Sequence, residues 1–116
     1  MNDNAKKWVV ALRSGEYNQA QGTLRKEDAR CCLGVACDIY AKEHDVDWEY
    51  RTGPGWTFLG LNSVLPFEVR EWLGLGSDDG EYRVEDLENL ANLNDTGHTF
   101  EQIARIIEEE PEGLFV

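Results

Sequence analysis

Apolar and polar positions follow two different rhythms along this chain, and each predicts its own elements. Ala5, Trp8, Val9 and Leu12 recur at helical spacing, with Lys6, Lys7 and Arg13 off that face, so residues 4–13 read as a first helix. Asn4 is its expected cap, and Ser14-Gly15 its stop, because glycine readily takes the left-handed conformation that closes a helix. Residues 17–25 are polar with isolated apolar positions, which suits an irregular loop or a short strand at Thr23-Leu24-Arg25. The stretch from Ala29 to Tyr40 is the longest passage almost free of charge and predicts a buried helix. Asp28 is placed to cap it, and Cys32, Val35, Ala36, Ile39 and Tyr40 form its inner face, widened by Cys31, Leu33 and Cys37. Gly34 weakens such a helix by about 1 kcal/mol relative to alanine, so its expected use is to let another backbone come close.

The rhythm then changes to two. Trp48-Glu49-Tyr50 and Trp56-Thr57-Phe58 alternate aromatic with polar residues around a turn at 51–55, which predicts a β-hairpin with one aromatic face. A bare hairpin is barely stable in water, so the central helix is its expected cover; left open, the same face would be a stacking platform. Pro66 opens a short helix through Leu73, ended by Gly74 and Gly76, and Ser77-Asp78-Asp79-Gly80 reads as a turn. Tyr82 and Val84 suit a brief strand before a helix over 85–93, with Leu87, Leu90, Ala91 and Asn94 on one face. Residues 94–97 break that helix, and Thr99 with Gln102 makes a capping box for a last one whose inner face is Phe100, Ile103, Ala104 and Ile107. These last two helices are expected to pack as a hairpin beside the central one. Glu108, Glu109 and Glu110 crowd the negative pole of the last helix, and residues 114–116 either fold back or hang free. The pattern as a whole implies a single α+β domain over 1–116: a Cys-rich central helix, terminal helices around it, and a short aromatic hairpin.

Charge sharpens this picture. With 23 acidic against 11 basic residues the net charge is −12. That balance repels phosphate backbones and anionic lipids, so neither direct nucleic-acid binding nor membrane binding is expected. It suits a partner protein with a basic surface. A hydrophobic fraction of 41% with four tryptophans allows a genuine core, and no uncharged run approaches the length of a membrane span. Three cysteines, two of them adjacent, fit reduced thiols in a cytosol better than a disulfide framework.

Several short motifs carry a resemblance. Leu12-Arg13-Ser14-Gly15, Leu24-Arg25, the run Cys31-Cys32-Leu33-Gly34-Val35-Ala36-Cys37-Asp38, Trp72-Leu73-Gly74, and Leu93-Asn94-Asp95-Thr96-Gly97 followed by Phe100, Ile103 and Ala104 resemble a set of short proteins encoded by tailed bacteriophages. The resemblance spans most of the chain. It implies a phage accessory protein working in the cytoplasm of the bacterial host, without implying an activity.

Candidate chemistry is sparse. Catalytic cysteine needs a base in reach and a pocket that favours thiolate, and only His44 and His98 are available, neither in a motif. Arg30 would lower the pKa of Cys31 and Cys32, whereas the apolar surroundings would raise it. The cysteine spacing matches no common zinc site, and phosphate-cradling glycine loops are missing, so no cofactor or metal is expected. Asp95-Thr96-Gly97 coincides with the aspartic protease tripeptide, but turn and cap chemistry explains it without catalysis. The leading expectation is therefore a non-catalytic accessory protein that grips a basic host protein through its acidic surface. The alternative is a binder of a nucleotide-like small molecule, with Trp48, Tyr50 or Trp56 stacking on a ring and Arg25, Arg30 or Arg51 holding phosphate. A cysteine-dependent enzyme comes third.

Overall fold

Cys32–His44 forms the helix against which the other elements pack, here named α2 in a computed structural model describing residues 1–116. It is preceded by α1 (Asp3–Arg13), β1 (Asn18–Gln19), β2 (Arg25–Lys26) and β3 (Ala29–Arg30). After it come β4 (Glu49–Arg51), β5 (Gly55–Thr57), α3 (Phe67–Leu73), β6 (Glu81–Arg83), β7 (Leu87–Asn89), α4 (Leu90–Asp95) and α5 (Phe100–Glu109). The fold is α+β, as the pattern implies. Its 23 core residues run from Trp8 to Leu114 in one cluster, so both ends of the chain share the same interior. No helix is long and apolar enough to cross a membrane.

The central helix starts later than its hydrophobic pattern predicts. Ala29 and Arg30 are drawn into a three-stranded ladder, β3 running parallel to β1 and antiparallel to β2, so Asp28 does not cap the helix. The Cys31 thiol sits at the cap instead, accepting weakly from the Gly34 N–H at 3.4 Å. Buried Asn94 supplies the stronger contact: its Oδ1 accepts from the Cys32 N–H at 3.1 Å, and its amide donates to the Ala20 carbonyl at 2.7 Å. Helix-terminal N–H groups need partners, and burial makes a missing one costly. Gly34 serves the close approach expected of it, because a Cβ there would lie 1.9 Å from the Leu24 carbonyl oxygen.

Helix α1 is capped by Asn2 rather than Asn4, the Asn2 Oδ1 accepting from Ala5 at 2.8 Å. Both asparagine amides donate to the Trp72 carbonyl, which fastens α1 to the end of α3. Fully buried Trp8 donates its indole N–H to the Cys32 carbonyl at 2.8 Å, joining α1 to α2. The expected helix over 85–93 is replaced at its start by β7, paired with β6, and α4 begins only where Asn89 provides a cap. Helical period over 87–94 arises because the inner face of α4 follows an alternating strand. Leu87 is consequently exposed instead of buried. Of the expected helical hairpin, α4 packs on α2 while α5 lies chiefly against α1.

Thr99 and Gln102 form the complete capping box of α5. The carboxylates at its far end are partly neutralised by α1: Arg13 reaches Glu108, as well as Glu101 in the first turn, and the Met1 ammonium reaches Glu110. Residues 114–116 fold back, with Leu114 fully buried and its carbonyl accepting from Gly76 at 2.8 Å.

Candidate ligand-binding site

The aromatic hairpin forms as its alternation predicts, and pairing decides which residues share a face. Tyr50 lies opposite Trp56 on the β4–β5 ladder, and Trp48 and Phe58 extend the same side one step inward. Phe58 is fully buried, with the Trp48 ring 5.0 Å from it, so the inner end of this face belongs to the core. The outer end does not: Tyr50 is 63% exposed and meets Trp56 edge-on at 5.5 Å.

Two arginines lie across this face. The Arg25 guanidinium stands 3.5 Å over the Trp56 ring and 5.6 Å from Trp48, and that of Arg30 lies 5.2 Å from Trp48. Arginine favours such stacking because its flat cation meets the negative face of the indole. The β2–β3 register sets Arg25 directly opposite Arg30. Arg30 has a carboxylate partner in Asp38 at 3.4 Å, while its buried Nε has none. Arg25 has no carboxylate partner; its Nε donates to the Glu27 carbonyl at 2.8 Å. Burial, then the neighbouring Arg30, lower the Arg25 pKa from the ordinary arginine value.

Asp38 organises the rear of this cluster. Its carboxylate accepts from the Tyr17 hydroxyl at 2.8 Å and from the Trp48 indole at 3.2 Å, and it pairs with Arg30 and Lys42. Burial pushes the carboxyl pKa up, but the Tyr17 hydrogen bond and the two cations outweigh that and leave it below the ordinary 3.8. The Trp48 ring is thereby held in place beneath the arginines.

In front of the cluster is an open cleft of about 280 Å³, lined by Thr23, Arg25, Lys26, Glu27, Tyr50, Trp56 and Asn62 among others, so two cations and one carboxylate border it. Of the residues singled out from sequence, Arg25, Tyr50 and Trp56 line the cleft, and Arg30 and Trp48 stand behind it. Arg51 takes no part: it pairs with Glu49 on the exposed strand and does not border the cleft. Sequence reasoning missed Asp38, although one carboxylate within an apolar helix is itself a signal, since buried aspartate needs partners. It also missed Thr23 and Asn62. Their juxtaposition, with the Thr23 hydroxyl donating to the Asn62 carbonyl at 2.9 Å, joins segments with no common pattern.

The remaining candidate chemistry has structural uses. All three cysteines are buried, and burial pushes Cys31 up to about 11 and Cys32 and Cys37 well above the ordinary thiol value. These thiols are neutral at physiological pH; Arg30 acts on Cys37 rather than on Cys31 and Cys32, and burial outweighs it there. His44 stacks on Tyr40, and His98 bonds the Leu93 carbonyl; neither hydrogen-bonds to a sulfur. In the Asp95-Thr96-Gly97 turn, Asp95 accepts from the Gly22 N–H at 2.8 Å, tying the turn to the β1–β2 loop.

Comparison with known families places this chain in DUF8296, a domain of unknown function, whose model matches residues 1–111. No curated protein and no solved structure matches it.

Proposed function

We propose that this chain is a non-catalytic binding protein that sequesters an anionic, ring-bearing small molecule of the nucleotide class in the cleft between β2 and the β4–β5 hairpin. One observation carries the reading. Arg25 faces Arg30 across a strand pair, stacks on Trp56, and lacks a carboxylate partner in a chain of net charge −12. Like charges directly opposite on paired strands destabilise the ladder, and Asp38 is ion-paired with Arg30 and Lys42 but not with Arg25. A phosphate at the outer edge of the Arg25 guanidinium would balance the second charge through paired charge-assisted hydrogen bonds. Lys26 adds a second cation at the rim, and the exposed Tyr50 ring offers a surface for a base.

Sequestration needs no nucleophile, which agrees with three thiols kept neutral by burial. It also agrees with an accessory role in a phage-infected bacterium, the setting implied by the Cys-Cys-Leu-Gly-Val motif, since lowering the free level of a host signal requires only affinity and abundance. The test is a thermal-shift series with adenosine and guanosine mono-, di- and triphosphates, the free nucleosides, and inorganic phosphate. A ligand at 100 times its dissociation constant adds about 2.7 kcal/mol. Phosphorylated forms are expected to shift the melt and nucleosides not to. Arg25→Ala should abolish the shift, and Arg51→Ala, outside the cleft, should preserve it. No shift with any nucleotide, or one indifferent to Arg25→Ala, would overturn the reading.

A further inference from the structure

The second hairpin, β6–β7, has the opposite character. Its loop residue Val84 is 70% exposed, and Leu87, which pairs with Arg83 on the ladder, is 54% exposed. Tyr82 turns inward and is buried, so the hairpin is anchored, and the Arg83 N–H donates to the Glu112 carbonyl at 2.8 Å. An apolar groove of about 410 Å³ runs beside this pairing, between Val84 and Tyr82 on one side and Ile106 and Pro111 on the other. A smaller cleft of about 210 Å³, bordered by Glu81 and Glu112, lies beside Leu87 and Gly113, and Arg83 borders both.

Around these grooves stand Glu81, Glu85, Asp86, Glu88, Glu109 and Glu112. None of the six is ion-paired. Arg83 is the one cation within the hairpin. Exposed apolar side chains inside an unneutralised carboxylate ring describe a surface complementary to a cationic segment that carries apolar side chains. A second copy of this chain fits poorly, because each copy carries a net charge of −12.

We propose that the β6–β7 tip and its flanking grooves are a docking surface for a Lys- or Arg-rich segment of a partner protein, its apolar side chains seating against Val84, Leu87 and Ile106. The site is independent of the Arg25 cleft. The discriminating measurement is fluorescence anisotropy with a labelled peptide of alternating lysine and leucine, and with its lysine–serine counterpart. The lysine–leucine peptide should bind at least tenfold tighter, and its affinity should fall as salt rises. Val84→Ser with Leu87→Ser should weaken it at least tenfold with an unchanged melt. Glu85→Gln with Asp86→Asn should weaken binding more than Glu68→Gln with Glu71→Gln, which removes the same charge from α3. Equal loss in those two charge variants, unchanged affinity in the Val84/Leu87 variant, or self-association through the tip in sedimentation would overturn the proposal.

Discussion

The two hairpins of this protein have the same size and differ in everything that governs binding. β4–β5 directs its aromatic face toward α2 and β2, and its open end lies beneath Arg25; β6–β7 buries one tyrosine and holds valine and leucine out among carboxylates. The difference is one of neighbours. At β4–β5 the adjoining strand ladder sets two cations opposite one another. At β6–β7 the neighbours are the end of α5 and residues 110–113, which are acidic. A strongly acidic chain thus carries one cleft where Arg25 and Lys26 face a single carboxylate, Glu27, and one ridge where six carboxylates surround a single arginine, Arg83, a segregation that its net charge conceals.

The harshest way to break the comparison is to remove what both hairpins share. Cys32 lies fully buried in the one core cluster that also takes in Phe58 and Tyr82, its backbone held by Asn94 and Trp8 and its thiol 3.6 Å from the Leu90 carbonyl. Cys32→Asp should cost several kcal/mol, because it buries a charge without a partner, whereas Cys32→Ala should cost only about 1 kcal/mol. Paired urea melts check this, and hydrogen exchange should show both hairpins losing protection together.

Gly34→Ala should separate them. Its new methyl meets the Leu24 carbonyl, which accepts from Cys31 and adjoins Arg25, so β2 must move. Overpacking of this kind costs about 3 kcal/mol. Protection should fall in β2–β3 and β4–β5 before it falls in β6–β7.

Asp38 sharpens the contrast through pH. Asp38→Ala strands Arg30 and frees the Trp48 indole, at a cost of about 2 kcal/mol, below the range for fully buried pairs because the carboxylate retains some solvent contact. Its folded pKa lies below the ordinary 3.8, so its contribution is present above that value and is lost as pH falls through the lower, folded one. The melting temperature should drop on acidification below pH 3.8, and Asp38→Asn should lack that part of the drop. Arg25→Ala is milder, about 1 kcal/mol for the stack on Trp56. Smallest of all is Val84→Ser with Leu87→Ser, within about 0.5 kcal/mol, since both side chains already face water. Urea melts rank the last two.

Local chemistry was legible in the sequence wherever neighbours along the chain do the work. The Thr99–Gln102 capping box, the glycine stop after Ser14, the short helix from Pro66 to Gly74 and the alternation of Trp48, Tyr50, Trp56 and Phe58 all depend on residues within a few positions of each other. The same is true of the buried face of α2 and of the small residue needed at Gly34. Tertiary structure decided what needed a distant partner. Asn94 replaced Asp28 at the start of α2, β6 claimed Leu87 from a helix, and Arg25 met Trp56 while Arg51 did not. Hydrophobic period states that a residue will be buried or exposed, not against which element. A hydrogen bond or a stacked cation has a direction and a reach of a few ångströms, so only the packed chain determines which of several eligible side chains arrives.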